Sequence, residues 1–201
     1  MALINEPILD QTFEIIRDRI VAILELEFPN QQILQPGIDL SPEIVKERSI
    51  AFDSAQGSLI NVLFINDVAT QRTQVNKVGD FLYYIDVYTG KKDTETESGD
   101  ELSRVACQRI AGVVRGILEA PVYKHLGFDT LKPVQRLNIT TIEQAEPDSR
   151  KDAANISQAR LQFEVRSTDI NALEGVRDLD LLTVQFKIDE TDEGNLFEKD
   201  V

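Results

Sequence analysis

The chain has 201 residues, 42% of them hydrophobic and 28% charged, and a formal net charge of −14. That is ample for one domain with a real core, and it excludes disorder of the whole chain. A polyphosphate backbone attracts basic surfaces, so the acidic balance disfavours ordinary nucleic-acid binding and argues first for solubility.

The first predicted element is a helix over residues 10–27. Phe13, Ile16, Ile20 and Ile23 recur at spacings of three and four and so share a face. Asp10 is placed to cap it, and Pro29 is expected to end it. Its polar face is mixed in sign, which suits packing on a sheet better than lying on a membrane surface. Residues 29–43 hold Pro29, Pro36, Gly37 and Pro42, which predicts loop or extended chain. A strand is expected within 44–52 and a turn at 54–58. A strand over 59–65 is apolar enough to be buried on much of both faces. Residues 66–78 are polar and lack a period, which predicts a long connection.

The next strand covers 81–89. Tyr83, Ile85 and Val87 alternate with Tyr84, Asp86 and Tyr88, which gives one apolar face and one aromatic face with an acidic centre. A solvated loop at 91–99 leads to the clearest helix. Ser98 and Glu101 have capping-box spacing. Leu102, Val105, Ala106, Ile110, Val113, Ile117 and Leu118 then continue at helical spacing to Pro121. Gly112 and Gly116 each cost about 1 kcal/mol relative to alanine in a helix, which predicts a close backbone approach there.

Two alternating strands follow, around 137–141 and 159–166, joined by a polar loop to make a long hairpin. The second sets Ala159, Leu161, Phe163 and Val165 against Arg160, Gln162, Glu164 and Arg166. A last strand is expected at 182–188, where Leu182, Val184, Phe186 and Ile188 alternate with polar residues. The layout predicted is α+β: an antiparallel sheet with two main helices packed on one face, a long β-hairpin and protruding loops near 66–78, 90–99, 146–155 and 167–178. Residues 1–190 read as a single domain, and residues 191–201 as an acidic flexible tail.

Motifs for chemistry are sparse. No apolar run approaches the ~18–20 residues that span a bilayer, and no basic region precedes an apolar one at the start, so no signal peptide is expected. A single cysteine, Cys107, excludes an intramolecular disulfide and suits a reducing cytoplasm. Cys107 lies beside the apolar stripe of its helix and reads as a buried, inert thiol. His125, the one histidine, reads as a surface or capping residue. Gly90-Lys91-Lys92 lacks the upstream glycine and the following Ser or Thr of a phosphate loop. Asp93, Glu95 and Glu97 alternate like the start of a calcium loop, but the glycine comes one residue late and the distal ligand is missing. No catalytic residue, cofactor or metal site is expected, and the chain reads as a non-enzyme.

An amphipathic helix precedes paired strands that end in Tyr83-Tyr-Ile-Asp-Val-Tyr88. A charged loop comes next, then a helix of the Leu-x-x-Val-Ala form beginning at Leu102. Leu126-Gly127 then leads into a long hairpin and a final strand. In this order of elements the chain resembles the tail terminator and tail-completion (neck) proteins of tailed bacteriophages. The resemblance implies a virion protein assembled in the host bacterial cytoplasm, with no enzymatic activity. It implies a self-associating ring, expected to be a hexamer, that caps the tail tube or sheath and joins it to the head-side connector. Genomic DNA would pass through the lumen without specific binding, and an acidic lumen would repel it. No membrane partner is implied. A closed ring joins one patch to a different patch. Arg160, Glu164 and Arg166 on the hairpin are one candidate patch, and Tyr84 with Tyr88 is another. The tyrosines equally suit packing within one subunit. The residues leave open another virion role (connector adaptor or baseplate subunit), a cytoplasmic enzyme or ligand-binding protein with an acidic site, and a monomeric protein-binding module.

Overall fold

The computed structural model describes residues 10–49, 57–72, 77–128, 134–145 and 155–168. Helix α1 (Thr12–Leu34) leads into β1 (Glu43–Lys46), β2 (Gly57–Arg72) and β3 (Lys77–Gly90). Helix α2 (Gly99–Leu118) and a 3-10 turn (Pro121–Tyr123) follow, then β4 (Val134–Ala145) and β5 (Ile156–Thr168). The five strands form one sheet in the order β1-β2-β3-β5-β4. The predicted strand at 182–188, the acidic tail and most of the loops at 146–155 and 167–178 lie outside the described residues.

The α+β class is the one the sequence predicts, with one correction. The sheet is mixed, because β1 pairs with β2 in parallel while the other pairs are antiparallel. Alternation reports which residues share a face, but not the direction in which the chain re-enters a sheet.

The helices stand on one side of the sheet because the apolar rows meet there. Ile16, Ile20, Ile23, Leu24 and Phe28 of α1, and Cys107, Ile110, Ala111, Val114, Ile117 and Leu118 of α2, form one core. That core includes Tyr83, Ile85 and Val87 of β3 and Ala159, Leu161, Phe163 and Val165 of β5. Each large side chain so buried contributes about 1.5–3 kcal/mol before the entropy of ordering is subtracted. The Tyr83 hydroxyl, at the bottom of this layer, donates to the Phe13 carbonyl at 2.9 Å. Phe13 in turn stacks on Phe64 with ring centroids 4.5 Å apart.

Helix α1 differs from expectation at both ends. It starts at Thr12 rather than after Asp10, with the Glu14 carboxylate accepting from the Gln11 N–H at 2.8 Å. It also runs through Pro29 to Leu34. The proline removes the N–H that would reach the Glu25 carbonyl, but both residues face water, which can serve the orphaned oxygen. Past the proline, Gln32 ties the helix end down, donating to the Ile38 carbonyl and accepting from the Leu40 N–H.

The expected long connection at 66–78 is mostly strand. β2 continues to Arg72 and β3 begins at Lys77. The ladder between them shifts register between Phe64 and Asn66 and again between Ala69 and Gln71. Each bulge inserts a residue and breaks the period of two that would mark a strand in the sequence.

Helix α2 starts as expected, the Ser98 hydroxyl accepting from the Glu101 N–H at 3.3 Å. Its buried face is rotated from the predicted one: Val105 is 61% exposed, whereas Ser103 is buried; Cys107 is buried as expected. The polar Ser103 fits the core because its hydroxyl bonds the Asn155 carbonyl and accepts from the Lys91 N–H, while its own carbonyl accepts from Thr89. Gly112 and Gly116 do not mark a close approach, since a Cβ at either would meet nothing within 4 Å.

Candidate interface face of the sheet

No described helix covers the second side of the sheet. Residues of β3 at 80, 82, 84, 86 and 88 stand opposite residues of β5 at 166, 164, 162, 160 and 158. In a strand these even positions share a side, opposite the core row. Tyr84, Tyr88, Arg160, Glu164 and Arg166 therefore lie on one face. The sequence suggested two separate patches, and the pairing of β3 with β5 merges them into one.

Two arginine–aspartate pairs organise this face. Arg160 Nε and Nη2 donate to Asp86 Oδ1 and Oδ2 at 2.6 and 2.7 Å. Arg166 makes the same two-pronged contact with Asp80, both bonds at 2.7 Å. Such fork-to-carboxylate pairs fix geometry as well as charge. The Asp86 side chain is almost fully buried, whereas that of Arg160 is 37% exposed, so only the arginine can serve both the carboxylate and a partner.

Aromatic groups brace the first pair. The Arg160 guanidinium carbon lies 4.5 Å from the centre of the Tyr84 ring, within cation–π range. The Tyr88 hydroxyl donates to Asp86 Oδ2 at 3.3 Å and accepts from Gln158 Nε2 at 3.1 Å. Burial, and then the neighbouring Asp86 carboxylate, hold the Tyr88 hydroxyl above its ordinary pKa. The hydrogen bonds to Asp86 raise the Arg160 pKa despite some burial. One strand over, Asn61 stands opposite Asp86. It is locked by its side chain to the Arg48 backbone, donating to the carbonyl at 2.8 Å and accepting from the N–H at 3.1 Å.

Glu164 stands opposite Leu82, between the two arginine pairs, and is exposed. Val68, opposite Asp80, is 56% exposed. The result is a surface of arginine, tyrosine and acid, braced by hydrogen bonds, with a small apolar margin.

Asp80 and Asp86 as partners went unrecognised in the sequence, although a signal was present. Both the aspartates and the arginines are six residues apart, and antiparallel pairing brings two equal spacings into register.

The other residues weighed for chemistry have structural roles. His125 Nδ1 lies 2.7 Å from the Val134 carbonyl and ties the turn after α2 to the start of β4. Cys107 is fully buried, and burial pushes its thiol up to about 11. Asp93, in the acidic loop, accepts from the Gly99 N–H at 2.7 Å and so braces the start of α2. Among the described residues no cluster of three or more His, Cys, Asp or Glu could hold a metal ion, and no helix is long and apolar enough to cross a membrane. Compared with models of known protein families and with curated protein sequences, the chain matches neither.

Proposed function

We propose that the chain is a structural virion protein of a tailed bacteriophage. In this reading it is a tail terminator, whose copies form a ring that caps the tail tube or sheath and meets the head-side connector. The supporting observation is the sheet face that no described helix covers, on which Tyr84, Tyr88, Arg160 and Arg166 are held in place by hydrogen bonds and ring contacts within the subunit. Arginine and tyrosine dominate the energetic centres of protein interfaces. Side chains already fixed lose little freedom on docking, which lowers the cost of association. The element order that resembles terminator proteins supplies the kind of assembly.

A ring contact is heterologous, so this face must meet a different surface of the next copy. Arg160, Glu164 and Arg166 would contribute charge-matched contacts there, and Tyr84 with Tyr88 the packing. The net charge of −14 suits a lumen through which DNA slides without binding, because like charge repels it.

The test is light scattering with negative-stain imaging, on the protein alone and then mixed with tail tubes from the same source. Rings, free or at tube ends, are the expected result and fix the stoichiometry. A monomer that ignores tubes would overturn the reading. Tyr84→Ala and Tyr88→Ala probe the face itself: if neither variant changes the oligomer mass, the contact lies elsewhere.

A further inference from the structure

A head-to-tail contact needs a second surface, and the helix layer carries one that matches the sheet face in charge and length. Helix α2 and the segment after α1 border an open cleft of about 640 Å³. Ile38, Leu102, Val105 and Ala106 give it an apolar lining, and Glu101 and Arg109 line it as well. Val105 is 61% exposed, and Glu101 and Arg109 are exposed one turn to either side of it. Positions four apart run up one side of a helix, so the row reads acid, apolar, base. The walls of the cleft are braced: Arg109 donates to Gln35 Oε1 at the end of α1, and Lys91 donates to Asp39 at 3.1 Å.

The sheet face carries the complementary row. Along β5 it reads Arg160, Gln162, Glu164, and Tyr84 stands opposite Gln162 in the middle. The order there is base, aromatic, acid. The lengths agree too. From Glu101 to Arg109 the helix rises roughly 12 Å, and from Arg160 to Glu164 the strand rises roughly 13 Å.

We propose that this row of α2 receives the sheet face of the next copy: Glu101 meets Arg160, Arg109 meets Glu164, and the Tyr84 ring seats on Val105 over the cleft. The proposal rests on the reading of the chain as self-associating, and it names the surface that the sheet face meets. The helices pack on the core side of the sheet, opposite the Tyr84 face. One subunit therefore cannot bring its own two rows together, whereas two copies can. Such contacts are heterologous and leave a free row at each end until the assembly closes. The charge pairs set register and reject wrong partners, while the apolar centre supplies the packing. The apolar cleft beside Phe28, Ile33 and Leu40 is a poorer seat, because Glu25 is the one charged residue in its lining and it offers no such row.

The test exchanges charges between the two rows in the full chain. Self-association is followed by sedimentation, alone and with tail tubes from the same source. Arg109→Glu and Glu164→Arg each set like charges against each other and should weaken association by at least about tenfold. Both changes in one chain restore the opposite pairing and should recover most of that loss. Both residues are exposed, and thermal unfolding shows whether each variant is folded. If Arg109→Glu unfolds through loss of its bond to Gln35, Val105→Asp takes its place, with association expected to fall and the fold to hold. Single variants that associate at unaltered strength, or a double variant no better than the singles, would overturn the pairing while the self-association reading stands. If the unaltered protein associates neither with itself nor with tubes, that reading fails and this inference fails with it.

Discussion

Asp86 and Arg160 face each other across β3 and β5, and the guanidinium grips the carboxylate with two bonds of 2.6 and 2.7 Å. The carboxylate is nearly inaccessible to water, so removing the arginine strands a buried charge. Arg160→Ala should cost about 3 kcal/mol of stability at neutral pH. Arg160→Lys keeps the charge but loses the fork and the stacking on Tyr84, and should fall between. Urea unfolding of the three proteins checks this. A loss under about 1 kcal/mol for the alanine variant would place the pair with ordinary surface ion pairs.

Much of this face was legible in the sequence because strand alternation is a strict period. It placed Tyr84 and Tyr88 away from the core side of Tyr83, and Arg160, Glu164 and Arg166 away from Leu161 and Phe163. Alternation does not report register, however. Only the pairing of β3 with β5 shows that Tyr84 and Arg160 touch and that Asp80 and Asp86 hold the arginines. The failures follow the same logic. Bulges near Ile65 and Thr70 hid the long β2–β3 ladder. Pro29 looked like a helix stop because its cost is set by whether water can reach the Glu25 carbonyl, a tertiary property. Val105 sat in the apparent apolar stripe of α2, while Ser103, polar in the sequence, took the buried place because Lys91 and Asn155 satisfy its hydroxyl.

The glycines of α2 offer a clean stability test. Gly112 and Gly116 are exposed, and a Cβ at either meets open space. No packing within the subunit requires glycine there, so the helix carries only the entropic cost. Gly112→Ala and Gly116→Ala should each stabilise the monomeric fold by up to about 1 kcal/mol. Thermal unfolding of each variant and of the pair measures it, and the pair should be near additive unless the residues couple. Destabilisation by either would show that the helix needs glycine for a reason other than open space.

Two carboxylates set a weak acid dependence. For Asp18, burial works to raise the pKa, but the hydrogen bonds from Lys46 and Arg17 outweigh it and hold the carboxyl below the usual range. For Asp39, the Ser41 hydroxyl and then Lys91 lower it in the same direction. A depressed folded-state pKa adds stability above the unfolded value of about 3.9, which is lost as pH falls through the lower folded value. Both side chains are about half exposed, so solvent screening holds each contribution well under about 1 kcal/mol. Urea midpoints should therefore be flat with respect to these groups near neutrality and decline below about pH 4. Asp18→Asn and Asp39→Asn should each make the decline shallower. An unchanged acid limb in both variants would remove these pairs as its cause.

Cys107 should be silent in the folded protein. Its side chain is fully buried, its Sγ lies 3.5 Å from the Val87 carbonyl, and burial lifts its pKa to about 11 against smaller opposing hydrogen bonds from Thr89 and Ala159. The thiolate is the reactive form, so at pH 8 the native thiol lacks both access and charge. Alkylation by iodoacetamide should proceed only through opening of α2 from the sheet, and its rate should rise with urea in step with unfolding. In fully unfolded chain the thiol should react at the rate of an ordinary cysteine. Rapid labelling without denaturant would show that α2 separates from β3 and β5 readily, and the helix layer would then be a mobile element rather than the rigid backing that the ordered sheet face needs.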